Sequence, residues 1–269
     1  MTPTGTPAPR LARDFLRLPL AHRGLHDRAQ GRPENSLAAF RAAIEAGFGI
    51  ELDVQPSADG RAMVFHDETL DRLTARKGPV AALPAEELGR IPLSGGEEGI
   101  PTLAQVLALV AGRVPLLIEI KDQSGSLGPG QRSGQGPDAG RLEAAVAAEL
   151  ADYDGPVAVM SFNPHSMARL QDLAPGVARG LVTCDFAADD WPGVDPADLA
   201  ALRGIPDLAR VGGSFISHDV RDLDAPAVAR IAGAGHDILC WTVRSAAQEG
   251  RARDHAQGIT FEGYTPAVP

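Results

Sequence analysis

A chain of 269 residues with 44% apolar and 22% charged content is long enough to bury the core of one α/β barrel. An aromatic share of 4% means that this core is built from Ala, Leu, Val and Ile. The formal charge of −10, with no extended block of like sign, speaks against nucleic acid or an anionic membrane surface as a partner.

From the N-terminus, residues 1–17 mix Pro, Thr, Arg and Asp without the apolar h-region of roughly 7–15 residues that a signal peptide carries. No later stretch reaches the ~18 apolar residues of a membrane span. The expectation is a cytoplasmic protein with no stable membrane anchor. Short β-like runs then alternate with amphipathic Ala/Leu/Glu-rich stretches. Strands are predicted near 19–22, 49–54, 115–120, 157–161, 179–183, 213–217, 237–243 and 258–262. Helices are predicted near 36–47, 102–111, 140–151, 164–173, 224–234 and 245–256. The pattern is α/β, a (βα)8 TIM barrel forming a single domain over 1–269, with a small insertion after the second strand at about 55–99. Within it, Asp59-Gly60 is a hairpin signal. A parallel crossover needs about a dozen residues, so 61–66 should return antiparallel on 51–56 and set His66 beside Asp53. The Gly/Ser/Gln/Pro-rich stretch 122–140 is placed to act as a lid or as a plain surface loop. Cys184 and Cys240 form no CxxC motif and read as isolated core thiols.

Three apolar runs end in groups that bind metal or phosphate: Leu20-Ala21-His22-Arg23-Gly24, Ile50-Glu51-Leu52-Asp53-Val54 and Leu117-Ile118-Glu119-Ile120-Lys121. In a parallel barrel the C-terminal strand ends converge, so carboxylates far apart in sequence can meet. Alternation sends Glu51 and Asp53 to one face, and Glu119 and Lys121 likewise. Taken singly, Glu51-x-Asp53 reads more readily as an outward salt-bridged pair than as a ligand pair. With Glu119 added, three carboxylates make an all-oxygen set suited to Mg²⁺ or Ca²⁺ and poor for zinc. His22 and His66 are the acid/base candidates, because imidazole titrates near neutral pH and both follow strands ending at this cluster. Arg23 and Lys121 supply the positive charge that a phosphate oxygen requires.

At this point the sequence resembles the glycerophosphodiester phosphodiesterase family. The resemblance is carried by His22-Arg23-Gly24, Pro33-Glu34-Asn35-Ser36 with 37–40, Glu51-Leu52-Asp53-Val54, Asp59-Gly60, Phe65-His66-Asp67, Leu70, Arg72, Pro101-Thr102-Leu103 and Ile118-Glu119-Ile120-Lys121. It continues more faintly through Met160-Ser161-Phe162-Asn163 and Trp241-Thr242-Val243. What it implies is a phosphoric diester hydrolase that releases sn-glycerol 3-phosphate and an alcohol such as choline or ethanolamine from a small-molecule glycerophosphodiester. Glu51, Asp53 and Glu119 would be the metal ligands, His22 and His66 the acid/base pair, and Arg23 and Lys121 the phosphate holders. Glu34 matches a family position near the site, in the metal shell or in a supporting hydrogen bond. The last third departs from the family pattern: Glu262 stands where a strand ending in Asp is common, and Arg244 where many relatives carry Asn. Glu262 replaces that Asp or caps the barrel, while Trp241 and Phe162 pack either on the glycerol moiety or in the barrel core. Two rival readings are a phospholipase of the sphingomyelinase D type acting on intact lipid, and a non-catalytic binding barrel.

Overall fold

The computed structural model describes residues 9–123 and 140–268. Its elements in chain order begin with α1 (Asp14–Arg17), β1 (Leu20–His22), α2 (Leu37–Glu45), β2 (Gly49–Pro56), β3 (Ala62–Val64), α3 (Ala85–Leu88), α4 (Leu103–Val110) and β4 (Leu116–Ile120). There follow α5 (Arg141–Leu150), β5 (Val157–Ser161), α6 (Pro164–Leu173), β6 (Ala178–Thr183), α7 (Pro196–Leu202), β7 (Phe215–Asp219), α8 (Pro226–Gly233), β8 (Asp237–Val243), α9 (Ala246–Ala252) and β9 (Gly258–Phe261). All strands except β3 are parallel, run in the order β1-β9-β8-β7-β6-β5-β4-β2, and close through the β1–β2 pairing. This is the expected (βα)8 TIM barrel.

Period-two alternation sorts the side chains into two layers. Ile50, Leu52 and Val54 of β2, with Leu116, Ile118 and Ile120 of β4, join the outer core that packs under the helices. Leu20, Leu117, Ala158, Val182, Phe215 and Leu239 form a separate inner cluster, which Leu11 and Phe15 also join. Between the outward residues on β2 and β4 stand Glu51, Asp53, Leu117 and Glu119, so the same alternation that buries the outer core turns these three carboxylates inward.

Gly60, at φ +80°, completes the turn that brings β3 back antiparallel on β2, with Val54 opposite Val64 and Pro56 opposite Ala62. The residues after β3 hold few regular turns. They nevertheless pack around an apolar cluster of their own, including Phe65, Leu70, Leu73, Val80, Leu88 and Ile100. Helix starts follow local chemistry: Ser36 accepts from the Ala39 N–H, and Thr102 and Gln105 form a reciprocal capping box.

One strand lies elsewhere than expected. The run predicted at 213–217 is β7, Phe215–Asp219, in which His218 and Asp219 continue the ladder opposite Cys240 and Trp241. Helix α7 was not expected at all, although Asp195 caps it and Pro196 opens it. Cys184 and Cys240 are free and buried. The stretch 122–140, expected as a lid or a plain surface loop, falls chiefly on residues outside the described ones. Among the described residues no helix is long and apolar enough to cross a membrane.

Candidate active site

The acidic centre is set by strand register. Asp53 on β2 is directly paired with Glu119 on β4, and His22 on β1 with Glu51 on β2. Oxygens of Glu51, Asp53 and Glu119 all lie within 4.8 Å of one another, and the three residues are 2%, 1% and 8% exposed. Three buried carboxylates this close repel, so each needs a partner.

Lys121 supplies part of the compensation, its Nζ standing 2.8 Å from Asp53 Oδ1 and 2.7 Å from Glu119 Oε1. Asn35 Nδ2 donates to Asp53 Oδ2 at 2.9 Å. Arg23 Nε lies 3.4 Å from the same oxygen, and the Arg23 backbone N–H donates to Glu51 Oε2 at 3.1 Å. That N–H is aimed by a left-handed turn at Arg23 and Gly24, with φ +56° and +82°. A Cβ on Gly24 would also meet Ala39 Cβ and Phe40 Cδ1 at 2.9 Å, so the turn requires glycine.

Burial alone would raise all three carboxyls. For Asp53 it is outweighed by Lys121, His66 and Arg23, which hold this group ionised. Glu51 and Glu119 stay raised, Glu51 the more so, because burial is joined by repulsion from the neighbouring carboxylates. Three carboxylates against Lys121 and an Arg23 shared with Glu34 leave the cluster short of positive charge. An all-oxygen, negatively charged, buried set is the donor chemistry that a hard divalent cation takes.

Both histidines are held in the same manner. His22 Nδ1 is 2.8 Å from Glu262 Oε2, and His66 Nδ1 is 2.7 Å from Asp67 Oδ1, so in each ring Nε2 is the nitrogen left over. The His22 Nε2 stands 4.0 Å from Glu51 Oε2. Burial lowers both imidazoles, more strongly than the adjacent carboxylates raise them. The hydrogen bond from His22 in turn draws Glu262 down to about 2. Glu262 also accepts from Arg244 Nη2 at 3.1 Å. On the other side Arg72 grips Asp67 and Glu34 through paired hydrogen bonds of 2.7–2.9 Å, and Glu34 accepts from Arg23 Nη1 at 2.6 Å.

His22, Arg23, Glu51, His66, Glu119 and Lys121 line one cleft of about 370 Å³, with Phe162, Trp241, Arg244, Asp219 and Arg221 on its other walls. The structure thus brings together the residues singled out from sequence. Asp53 lies immediately beneath, joined to Lys121 and Arg23. Glu34 stands with Arg23 and Arg72, outside the carboxylate trio. Glu262, just after β9, is bonded to His22 and Arg244. Trp241 and Phe162 pack edge to face, 5.7 Å between ring centroids, lining the cleft and resting on the inner core together. Asn35, Asp67, Arg72, Asp219 and Arg221 had no role in the sequence reading. Asn35, Asp67 and Arg72 stand inside the quoted motifs, and Asp219 ends a barrel strand, which is the signal that marks a functional position.

The family model for the glycerophosphoryl diester phosphodiesterase family matches residues 22–258. A glycerophosphodiester phosphodiesterase of Caldanaerobacter subterraneus is 36% identical over 184 residues, 65% of this chain and 70% of the relative. One of Bacillus altitudinis is 35% identical over 175 residues, 61% of this chain and 66% of the relative. Among solved structures, an Oleispira antarctica phosphodiesterase in complex with the product sn-glycerol-3-phosphate superposes with a TM-score of 0.71 at 23% identity, covering 91% of this chain and 93% of that one. A glycerophosphodiester phosphodiesterase from Parabacteroides distasonis does so at 0.69 and 21%, covering 91% and 92%.

Proposed function

The chain belongs to the glycerophosphoryl diester phosphodiesterase family and is an enzyme of that class; from this premise we propose that it hydrolyses glycerophosphodiesters to sn-glycerol 3-phosphate and a free alcohol, using one divalent cation, Mg²⁺ or Ca²⁺, and His22 and His66 as proton carriers. What supports the reading most is the meeting of three buried carboxylates, two carboxylate-held histidines and the half-buried Arg23 and Lys121 at one cleft. Glu51, Asp53 and Glu119 would hold the ion, whose part is to neutralise charge as it builds on the phosphoryl oxygens.

Arg23 and Lys121 take the phosphate oxygens, Arg23 through its planar fork and Lys121 as a point charge. Glu34 and Arg72 fix the direction of Arg23. Glu262 and Asp67 hold the Nδ1 side of each histidine and turn Nε2 to the substrate. One Nε2 removes the proton of the attacking hydroxyl and the other protonates the departing alcohol oxygen; where glycerol's own hydroxyl attacks, water then opens the cyclic phosphate to sn-glycerol 3-phosphate, and where water attacks directly that product forms in one step. Burial favours the neutral form of both rings, which suits the base. Arrival of the phosphate anion raises an adjacent imidazole and helps the acid keep its proton.

Phosphorus NMR of the reaction with glycerophosphocholine tests this directly. The expected product signal is that of sn-glycerol 3-phosphate. Phosphocholine as the product, or turnover confined to intact phospholipid or sphingolipid, contradicts the reading.

A further inference from the structure

A second cleft of about 600 Å³ opens beside the first and shares His66, Glu119, Lys121 and Phe162 with it. Its walls differ in character from the phosphate site. Phe162 and Trp191 form an aromatic corner, with ring centroids 5.2 Å apart and planes at 62°. Glu68, Asp122 and Asp190 stand around this corner. Among the described lining residues the only Lys or Arg is Lys121, and its ammonium is already in contact with Asp53 and Glu119. The first cleft is lined in addition by Asp219, Arg221 and Arg244, with Arg221 paired to Asp219 at 2.6 Å and Arg244 to Glu262 at 3.1 Å. A diester whose phosphate rests at Arg23 and Lys121 therefore meets charge-paired, hydrogen-bonding groups in the first cleft and an acidic, aromatic lining in the second.

Resting on the reading above, we infer that the second cleft receives the departing alcohol and selects a positively charged one, an alkylammonium alcohol, with the quaternary ammonium form preferred. A methylated ammonium carries little hydrogen-bonding capacity and is held by ring faces within about 6 Å, while nearby carboxylates add longer-range attraction. A neutral polyol head group gains neither. The glycerol end, with its hydroxyls, is left to the Asp219, Arg221 and Arg244 side.

The test compares kcat/KM for glycerophosphocholine with that for glycerophosphoglycerol, in the metal-loaded full chain. Wild type should favour the choline ester, and Trp191→Ala should reduce the ratio of the two by about tenfold. Trp191→Phe should restore most of it, and the double change Glu68→Gln with Asp190→Asn should reduce it again. A wild-type ratio near one, or a ratio indifferent to Trp191→Ala, overturns the inference. Absence of release from either diester by folded protein overturns the underlying reading instead. A binding arm decides the head-group site without turnover: the chain has two tryptophans, so Trp241→Phe leaves Trp191 as its only indole. Saturable quenching by choline and none by glycerol is expected, and no response to choline overturns the site.

Discussion

Replacing Lys121 with Met should expose how the acidic centre is balanced. The ammonium makes two short contacts with buried carboxylates, 2.8 Å to Asp53 and 2.7 Å to Glu119, and its own side chain is 15% exposed. Removing one partner of a buried ion pair costs about 3–5 kcal/mol, because the charge left behind is neither hydrated nor paired. At roughly 2–4 °C per kcal/mol for a domain near this size, the metal-free variant should melt roughly 6–20 °C below wild type. The deficit should depend on pH in a defined direction. Without the ammonium the folded pKa values of Asp53 and Glu119 rise, so the folded state binds more protons than the unfolded one and stability falls as pH rises. The variant should therefore be closest to wild type near pH 5 and furthest from it near pH 8. Added Mg²⁺ or Ca²⁺ replaces the missing charge, so the metal-induced rise in Tm should be larger in the variant than in wild type. Calorimetric or fluorescence melts in chelator, with and without excess cation, at both pH values measure all three quantities. A loss below about 1 kcal/mol, or a deficit that does not shrink on acidification, would refute the electrostatic account.

Three further outcomes are expected. His22→Ala and His66→Ala should each lower kcat by about 10²–10⁴-fold while the metal-induced Tm rise persists, whereas Glu51→Ala should abolish that rise; a histidine variant with wild-type kcat would remove that residue from proton transfer. Glu262→Gln keeps the shape but replaces the charged partner of His22 Nδ1, and kcat should fall by about tenfold or more with KM little changed; an unaltered kcat would leave Glu262 as a barrel cap only. Because burial and mutual repulsion raise Glu51 and Glu119, the incoming cation displaces protons, so its affinity should rise as pH rises from about 5 to 8. Titration calorimetry in two buffers of different ionisation enthalpy reads that proton release, and equal heats in both would count against it.

The barrel and its chemical centre were legible in the sequence for one physical reason. Gly49–Pro56 is an apolar run carrying Glu51 and Asp53 at alternate positions, Leu116–Ile120 carries Glu119 and Leu20–His22 ends in His22, and convergence explains titratable groups in so many buried strands. The fold-back of β3 was legible because Asp59-Gly60 leaves too few residues for a crossover. The end of β7 was hidden because His218 and Asp219 look like loop residues, yet Thr183 and Arg221 satisfy them in the strand. Asn35 was hidden because its value lies in a left-handed backbone and a hydrogen bond to Asp53 from another element. The Phe65–Ile100 cluster has no regular period, so composition alone suggested an irregular surface where a small apolar core is packed. Arg72 could be quoted as a motif residue, but its reach across to Glu34 is a tertiary fact.

On the proposed reading, the three converging carboxylates make phosphodiester cleavage depend on a divalent cation. The most direct measurement is sn-glycerol 3-phosphate release from glycerophosphocholine by chelator-stripped protein, before and after Mg²⁺, Ca²⁺ or Mn²⁺ is restored, alongside Asp53→Asn treated identically. Release should be negligible when the protein is stripped, recover on adding Mg²⁺ or Ca²⁺, and not recover in Asp53→Asn that is shown to be folded. Full release by the stripped protein, or full recovery in the variant, would contradict that reading.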